Sequence, residues 1–197
     1  MSDEVRERLL QQGVLLFREH GYHATGIQQI ATAAGIPKGS FHYYFESKEA
    51  FALAVIDRYA TKIVAGIRVY LERTTLPPLV RLRAYFENGL ASMDVPKGGH
   101  GCAVGNLLAE LGDTNDILQA ALAAAWERIA AALEAFLAEA QRDGTLSPEA
   151  DGRRVAGLLL SGWEGALIAM RAQRSTSPLA AFLDLVFEPL LAGRRKS

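Results

Sequence analysis

Between Thr25 and Lys48 the chain gathers cationic and hydrogen-bonding side chains around three glycines and a proline. Lys38 and Lys48 bring ammonium groups, Ser40 a hydroxyl, and His42 and Tyr43 aromatic rings with polar edges, while Gly39 leaves bare backbone beside them. Such a set suits phosphate oxygens, which ammonium and backbone N–H groups bind, and base edges, which polar side chains read. A second set lies further on. Cys102, Asn106 and Glu110 fall at i, i+4 and i+8, one polar stripe on a helix that also holds Val104, Leu107, Leu108 and Leu111. In one reading the stripe faces solvent and Cys102 is a small hydrophobe. In the other it lines a ligand cavity, with Cys102 at a helix N-terminus where a thiol is more readily ionised and can meet an electrophile or oxidant. His100 stands two residues before that cysteine.

The elements that must hold the first set are written tightly. Thr25 and Gln28 have the spacing of a capping box, which opens a short helix. Ile27, Ile30, Ala31 and Ala34 give that helix an apolar face, and Gly35 ends it as a left-handed C-terminal residue. Ile36 plugs the corner, and Pro37 fits the first turn of a second helix running from Lys38 to about Tyr44. Phe41, Tyr44 and Phe45 then face inward, and Lys38, Gly39, His42 and Tyr43 face outward. Gly39 costs about 1 kcal/mol of helix propensity relative to Ala, a cost with a purpose if a phosphate or base edge approaches the main chain. Ser47 caps a third helix opened by Lys48 and Glu49. A lysine there opposes the helix dipole until a phosphate docks on it.

This segment resembles the DNA-binding domain of the TetR family of one-component transcriptional regulators. The resemblance rests on Phe17, Gly21, Thr25, Ile30, Ala31, Ala34, Gly35, Lys38, Gly39, Phe41, Tyr44, Phe45, Lys48 and Glu49. It covers about the first quarter of the chain. His42-Tyr43 stands where many members carry Tyr-His. The resemblance implies a helix-turn-helix over residues 1–48, continuing into a connecting helix to about 73, and a ligand-binding and dimerisation domain over 49–197. It places Thr25, Gln28, Lys38, Gly39, Ser40, His42, Tyr43 and Lys48 at a double-stranded operator. Residues 101–111, GCAVGNLLAEL, look like the start of the sixth helix in a subgroup that includes repressors responding to N-ethylmaleimide and other electrophiles and a regulator responding to acrylate. In the electrophile-sensing members the matching cysteine is the sensor, which carries over to Cys102 alone.

Composition narrows the alternatives. The chain has 197 residues, half of them apolar, enough for a real core. No apolar run reaches the roughly 18 residues of a membrane span, and the charged start is unlike a signal peptide. A single cysteine excludes an intrachain disulfide and fits a reducing cytoplasm. Net charge is −1. Residues 1–48 hold five cations (Arg6, Arg8, Arg18, Lys38, Lys48) against five anions (Asp3, Glu4, Glu7, Glu19, Glu46), so bulk attraction does not nominate DNA. His20 and His23 have metal spacing without a third ligand, so no metal is expected. There is no P-loop, no Gly-x-Ser-x-Gly and no Cys-x-x-Cys, and no nucleophile–base pair that would make an enzyme. No cofactor is implied.

Every substantial segment reads helical, giving an all-α chain of about nine helices. The first runs from Ser2 to Gly21, a long one from Ser47 to about Arg73, and others from Leu79 to Met93 and from Gly101 to Leu111. Thr114 opens an alanine-rich helix to Asp143. Ser147-Pro148-Glu149 signals another, to about Gln173, and Ser177-Pro178 starts the last. Val95 to His100 reads as a loop, and Arg194-Arg195-Lys196 as a solvated tail. Gly157, Ser161, Gly165 and Ala169 recur every four residues, allowing either close packing within the chain or a two-fold interface completed by the final apolar helix, with Phe182 and Val186. TetR-like proteins dimerise through their last two helices. Tyr85, Trp126 and Trp163, with Phe86, Met93 and Met170, are further inducer-pocket candidates, although residues of these types are more often core than ligand contacts. The expected function is a homodimeric repressor released from a palindromic operator by a small-molecule or electrophile inducer. The competing reading is a helical ligand-binding or protein-interaction module without specific DNA binding.

Overall fold

The computed structural model describes residues 2–93 and 101–192; the loop Val95–His100 and the Arg194–Lys196 tail lie outside the described residues. It is all-helical: α1 (Ser2–His20), α2 (Ile27–Ala33), a 3₁₀ turn (Lys38–Ser40), α3 (Phe41–Tyr44), α4 (Lys48–Leu71), α5 (Pro78–Ala91), α6 (Ala103–Leu111), α7 (Asp116–Arg142), α8 (Gly152–Gln173) and α9 (Ser177–Ala192). That makes nine α-helices and no strand among the described residues, as the sequence implies. The chain forms two compact units, Met1–Lys62 with Cys102–Glu127, and Ile63–Gly101 with Arg128–Ser197. Helices α4 and α7 therefore each contribute to both, and α6 belongs wholly to the first.

The first unit is built on aromatic packing. Phe51 of α4 meets Phe17 of α1, Phe41 of α3 and Phe45, with ring centroids 5.9, 5.4 and 4.9 Å apart. Burial of Phe41 and Phe45 contributes on the order of 2 kcal/mol each, which outweighs the cost of Gly39. Gly21 and Gly35 adopt left-handed backbone, at φ 81° and 69°, and close α1 and α2 as anticipated. Behind Gly35, the Ile36 N–H reaches back to the Ala31 carbonyl at 3.0 Å.

Several helix starts differ from the sequence expectation, each for a visible reason. Thr25 and Gln28 form no capping box. The N-cap of α2 is Gly26, while the buried Thr25 hydroxyl donates to the Gly21 carbonyl at 2.6 Å and so closes α1 instead. Gln28 donates to Thr32 Oγ1. The second helix is not continuous from Lys38: the Ser40 N–H bonds the Pro37 carbonyl, a 3₁₀ contact, before one α-turn follows. Asn115 rather than Thr114 caps α7, accepting from the Leu118 N–H at 2.8 Å. Ser147-Pro148 makes a turn rather than a helix start. Gln141 Nε2 donates to the Ser147 and Ala150 carbonyls, which turns them aside, and α8 begins after Asp151, whose carboxylate caps the Arg154 N–H at 3.1 Å. Ser47 does cap α4, accepting from the Ala50 N–H at 3.0 Å.

The second unit centres on Phe86, Trp163, Phe182 and Phe187, with Phe86 5.1 Å from Trp163 and 5.5 Å from Phe182. Gly162 admits Phe182, since a Cβ there would stand 2.9 Å from that ring. Helix α8 is long and apolar enough to cross a membrane by length and composition alone. It reads that way because both its faces are apolar. Leu159, Leu160, Leu167 and Met170 point into the unit, and Leu158 and Ile168 point out at 73% and 65% exposure.

Arg81 ties the joint after α4. It is only 3% exposed, donates Nε to the Leu76 carbonyl at 2.9 Å, also donates to the Leu71 carbonyl, and pairs with Glu139. The Leu71 carbonyl is at the C-terminus of α4, where positive charge complements the helix dipole. Arg81→Met strands two carbonyls and one carboxylate. Removing one member of a buried pair costs ~3–5 kcal/mol, and because Glu139 keeps some solvent the loss expected in chemical denaturation is at the lower end, about 3 kcal/mol. A loss below about 1 kcal/mol, the scale of one ordinary hydrogen bond, contradicts this role.

Candidate nucleic-acid interface and its anchor on α6

The outward face of the 3₁₀ turn and α3 presents Lys38, Gly39, His42 and Tyr43, all exposed, with Tyr43 at 78%. Phe41 and Phe45 are buried behind it, and Tyr44 and Ser40 are half-buried. A Cβ on Gly39 would meet nothing within 4 Å, so no packing inside the chain requires a glycine there. Gln28 is exposed on α2, while Thr25, expected at the operator, is buried with its hydroxyl turned to the Gly21 carbonyl.

Few cations are at liberty near this face. Arg6 lies over the Phe45 ring at 5.2 Å, Arg8 donates to the Ala34 carbonyl at 3.4 Å, and Arg58 is ion-paired with Glu7. That pairing is the main reason the Glu7 carboxyl sits below its usual range. Lys48, at the first position of α4, holds its ammonium 4.3 Å from the centre of the Tyr22 ring. Partial burial lowers its pKa, and the nearby Glu110 carboxylate pulls the other way.

Glu110 is the hub of the arrangement. Its two oxygens accept the backbone N–H groups of Tyr22 at 2.8 Å and His23 at 2.7 Å. These amides begin the turn between α1 and α2, directly after Gly21. A Cβ on Gly21 would collide with Glu110 Oε2. One turn earlier on α6, Asn106 Nδ2 donates to the Arg18 carbonyl at 3.4 Å. Just past α6, Asn115 Nδ2 donates to Glu49 Oε2 at 2.8 Å, beside Lys48.

Cys102, the N-cap residue of α6, is half-buried, and its thiol is hydrogen-bonded with the Tyr59 side chain of α4. Burial raises the Tyr59 phenol well above its ordinary range; the Cys102 sulfur adds to that, and the Ala103 backbone hydrogen bond opposes it. The polar stripe therefore runs along a seam: Cys102 meets α4, Asn106 meets α1, and Glu110 meets the turn after α1.

The remaining residues singled out from the sequence fall in different places. Trp126 is half-buried on α7 in the first unit. Tyr85 and Trp163 belong to the second, Tyr85 against Tyr70 and Phe86, Trp163 against Phe86 and Phe182. Gly157 and Gly165 have nothing within 4 Å of a Cβ, Ser161 is exposed and Ala169 half-buried. Phe182 turns into the protomer's own aromatic cluster, and Val186 is half-buried. Leu158, Ile168 and Leu185, the last 77% exposed, are outward apolar residues that sequence reading passed over. The available signal was their adjacency to the small residues: Leu158 follows Gly157 and Ile168 precedes Ala169. Tyr22, Tyr59 and Asn115 were also missed, and no local sequence pattern announces them.

Comparison with known proteins gives this geometry its setting. Residues 9–55 match the family described as bacterial regulatory proteins, tetR family, and residues 78–186 the tetracyclin repressor-like C-terminal domain. The HTH-type transcriptional repressor DhaR of Mycobacterium sp. (strain GP1) is 34% identical over 187 residues, 95% of this chain and 92% of its own. A crystal structure of regulatory protein TetR from Rhodobacter sphaeroides superposes with a TM-score of 0.82 at 34% identity, over 93% of this chain and 97% of the other. The reduced form of NemR from E. coli does so with a TM-score of 0.82 at 27% identity, over 92% and 95%. The two family matches and the full-length repressor relative establish that the chain belongs to the TetR family of DNA-binding transcriptional regulators, which are not enzymes.

Proposed function

We propose that this chain is a homodimeric cytoplasmic repressor whose residues 1–48 read a palindromic operator and whose residues 49–197 carry dimerisation and inducer response. The exposed face of Lys38, Gly39, His42 and Tyr43, backed by buried Phe41 and Phe45, is the observation that carries the DNA-binding part. Gln28, Ser40 and Lys48 flank it. Tyr43→Ala and Lys48→Ala should each weaken operator binding about tenfold in a fluorescence-anisotropy titration, Lys48→Ala also lowering the salt slope by about one per protomer. Unchanged affinity in both variants contradicts this docking.

A helix-turn-helix gains its second half-site from a partner at fixed spacing. The outer face of α8 supports the two-fold interface: Gly157, Ser161 and Gly165 leave room for a second backbone, and Leu158, Ile168 and, on α9, Leu185 offer apolar area. Intrachain packing uses Gly162 instead. Gly165→Leu should therefore leave the protomer folded and convert the dimer to monomer by light scattering; a dimer of unchanged stability counts against this face.

Inducer response is assigned to α6. A modification at Cys102 disturbs the N-terminal end of a nine-residue helix whose other end holds the turn before α2. For a 100-fold release from DNA the coupling need be only about 2.7 kcal/mol. The likeness to NemR, crystallised in a reduced form, supports thiol chemistry at this position. N-ethylmaleimide should dissociate the operator complex of the parent protein and leave that of Cys102→Ser intact. Release of both to the same extent removes Cys102 from the response and leaves a non-covalent inducer.

A further inference from the structure

We propose that Glu110 is a positioning residue for operator binding, acting on Lys48 through Tyr22. The inference rests on the reading of Lys48 as a phosphate contact. Tyr22 joins two bonds in one residue. Its N–H is held by Glu110 Oε2 at 2.8 Å, and its ring lies under the Lys48 ammonium at 4.3 Å. The ring is further placed by Phe17, 5.8 Å away, and by His23, 5.4 Å away, whose own N–H is the other ligand of Glu110. The backbone hydrogen bonds at the ends of this turn, from the Gly21 N–H to the Phe17 carbonyl and from the Thr25 N–H to the Tyr22 carbonyl, use other donors and leave those two amides to Glu110. Removing the carboxylate takes away the bond that fixes the Tyr22 backbone, and so loosens the seat of the Lys48 ammonium on its ring.

The carboxylate acts on Lys48 electrostatically as well as through the ring, which makes the amide variant informative. Glu110→Gln keeps the shape and one acceptor oxygen but loses the charge and turns an N–H₂ group towards a backbone N–H. A helix-packing role for Glu110 would change stability and affinity independently of what stands at position 48. A positioning role makes the two sites interact, as residues in one hydrogen-bonded network do.

The test is a double-mutant cycle on the full-length protein and a fluorescent operator duplex, read across a salt series. Glu110→Gln should weaken operator binding about fivefold in the parent background and have little effect in the Lys48→Ala background, a coupling of ordinary size for contacting groups. Its salt slope should fall towards that of Lys48→Ala. Equal losses in both backgrounds, or no loss in either, overturn the proposal while leaving the Lys48 contact in place. If Lys48→Ala alone binds as tightly as the parent, the docking of Lys48 fails first and the proposal falls with it. Circular dichroism and light scattering on each variant confirm that folded dimers are being compared. Glu110→Ala, which removes both acceptors, should exceed Glu110→Gln in the same direction.

Discussion

Two amide N–H groups at Tyr22 and His23 follow the end of α1 and precede α2, so neither helix can satisfy them. The Glu110 carboxylate does, from a residue 88 positions away from Tyr22 in sequence. The Tyr22 amide is part-buried, so leaving it unpaired would cost on the order of 1 kcal/mol, while the His23 amide is exposed to water. The pair of bonds fixes the turn that aims α2, and α2 in turn sets the corner from which α3 emerges. The left-handed backbone at 21 favours glycine, the carboxylate fills the space beside it, and the same carboxylate brings negative charge close to Lys48. The small head of the molecule thus draws its geometry from a helix far along the chain, and α6 clusters with it for that reason.

That dependence explains how a chain of net charge −1 can present a nucleic-acid surface. Arg6, Arg8 and Arg58 are engaged with Phe45, the Ala34 carbonyl and Glu7, so they serve the fold. What remains is a small number of groups held in defined places. Affinity obtained this way depends on alignment of two heads at once, and a modest displacement is enough to lose it. In the proposed dimer, the open apolar face of α8 would set that alignment and the seam along α6 would disturb it.

Much of this was legible before any coordinates. Phe41 and Phe45 inward with His42 and Tyr43 outward follow from helical spacing, and Gly21 and Gly35 announce the ends of α1 and α2. Those features are local, and local chemistry is what periodicity and capping rules describe. The errors have a common origin. Thr25 turned back to close α1 rather than opening α2, and Ser147-Pro148 made a turn because Gln141, on the preceding helix, bound its carbonyls. In both cases a competing acceptor or donor nearby in space displaced the expected cap. The polar stripe on α6 was found by spacing, but its meaning was not, because the partners of Cys102, Asn106 and Glu110 come from α4, α1 and the turn after α1. A sequence shows that an acid on an apolar helix needs a partner, not which partner it has.

Gly21 and Glu110 also bear on how such a sequence is able to change. The backbone at 21 is left-handed, and the space where its side chain would grow is occupied by the Glu110 carboxylate. A substitution at either position alone leaves a defect: strained backbone if 21 gains a side chain, a part-buried Tyr22 amide without its acceptor if 110 loses its acid. A change at one position does not repair the defect at the other, because the left-handed backbone at 21 disfavours a side chain whatever stands at 110. Among descendants both positions, 89 residues apart, should therefore each stay fixed rather than exchange as a pair.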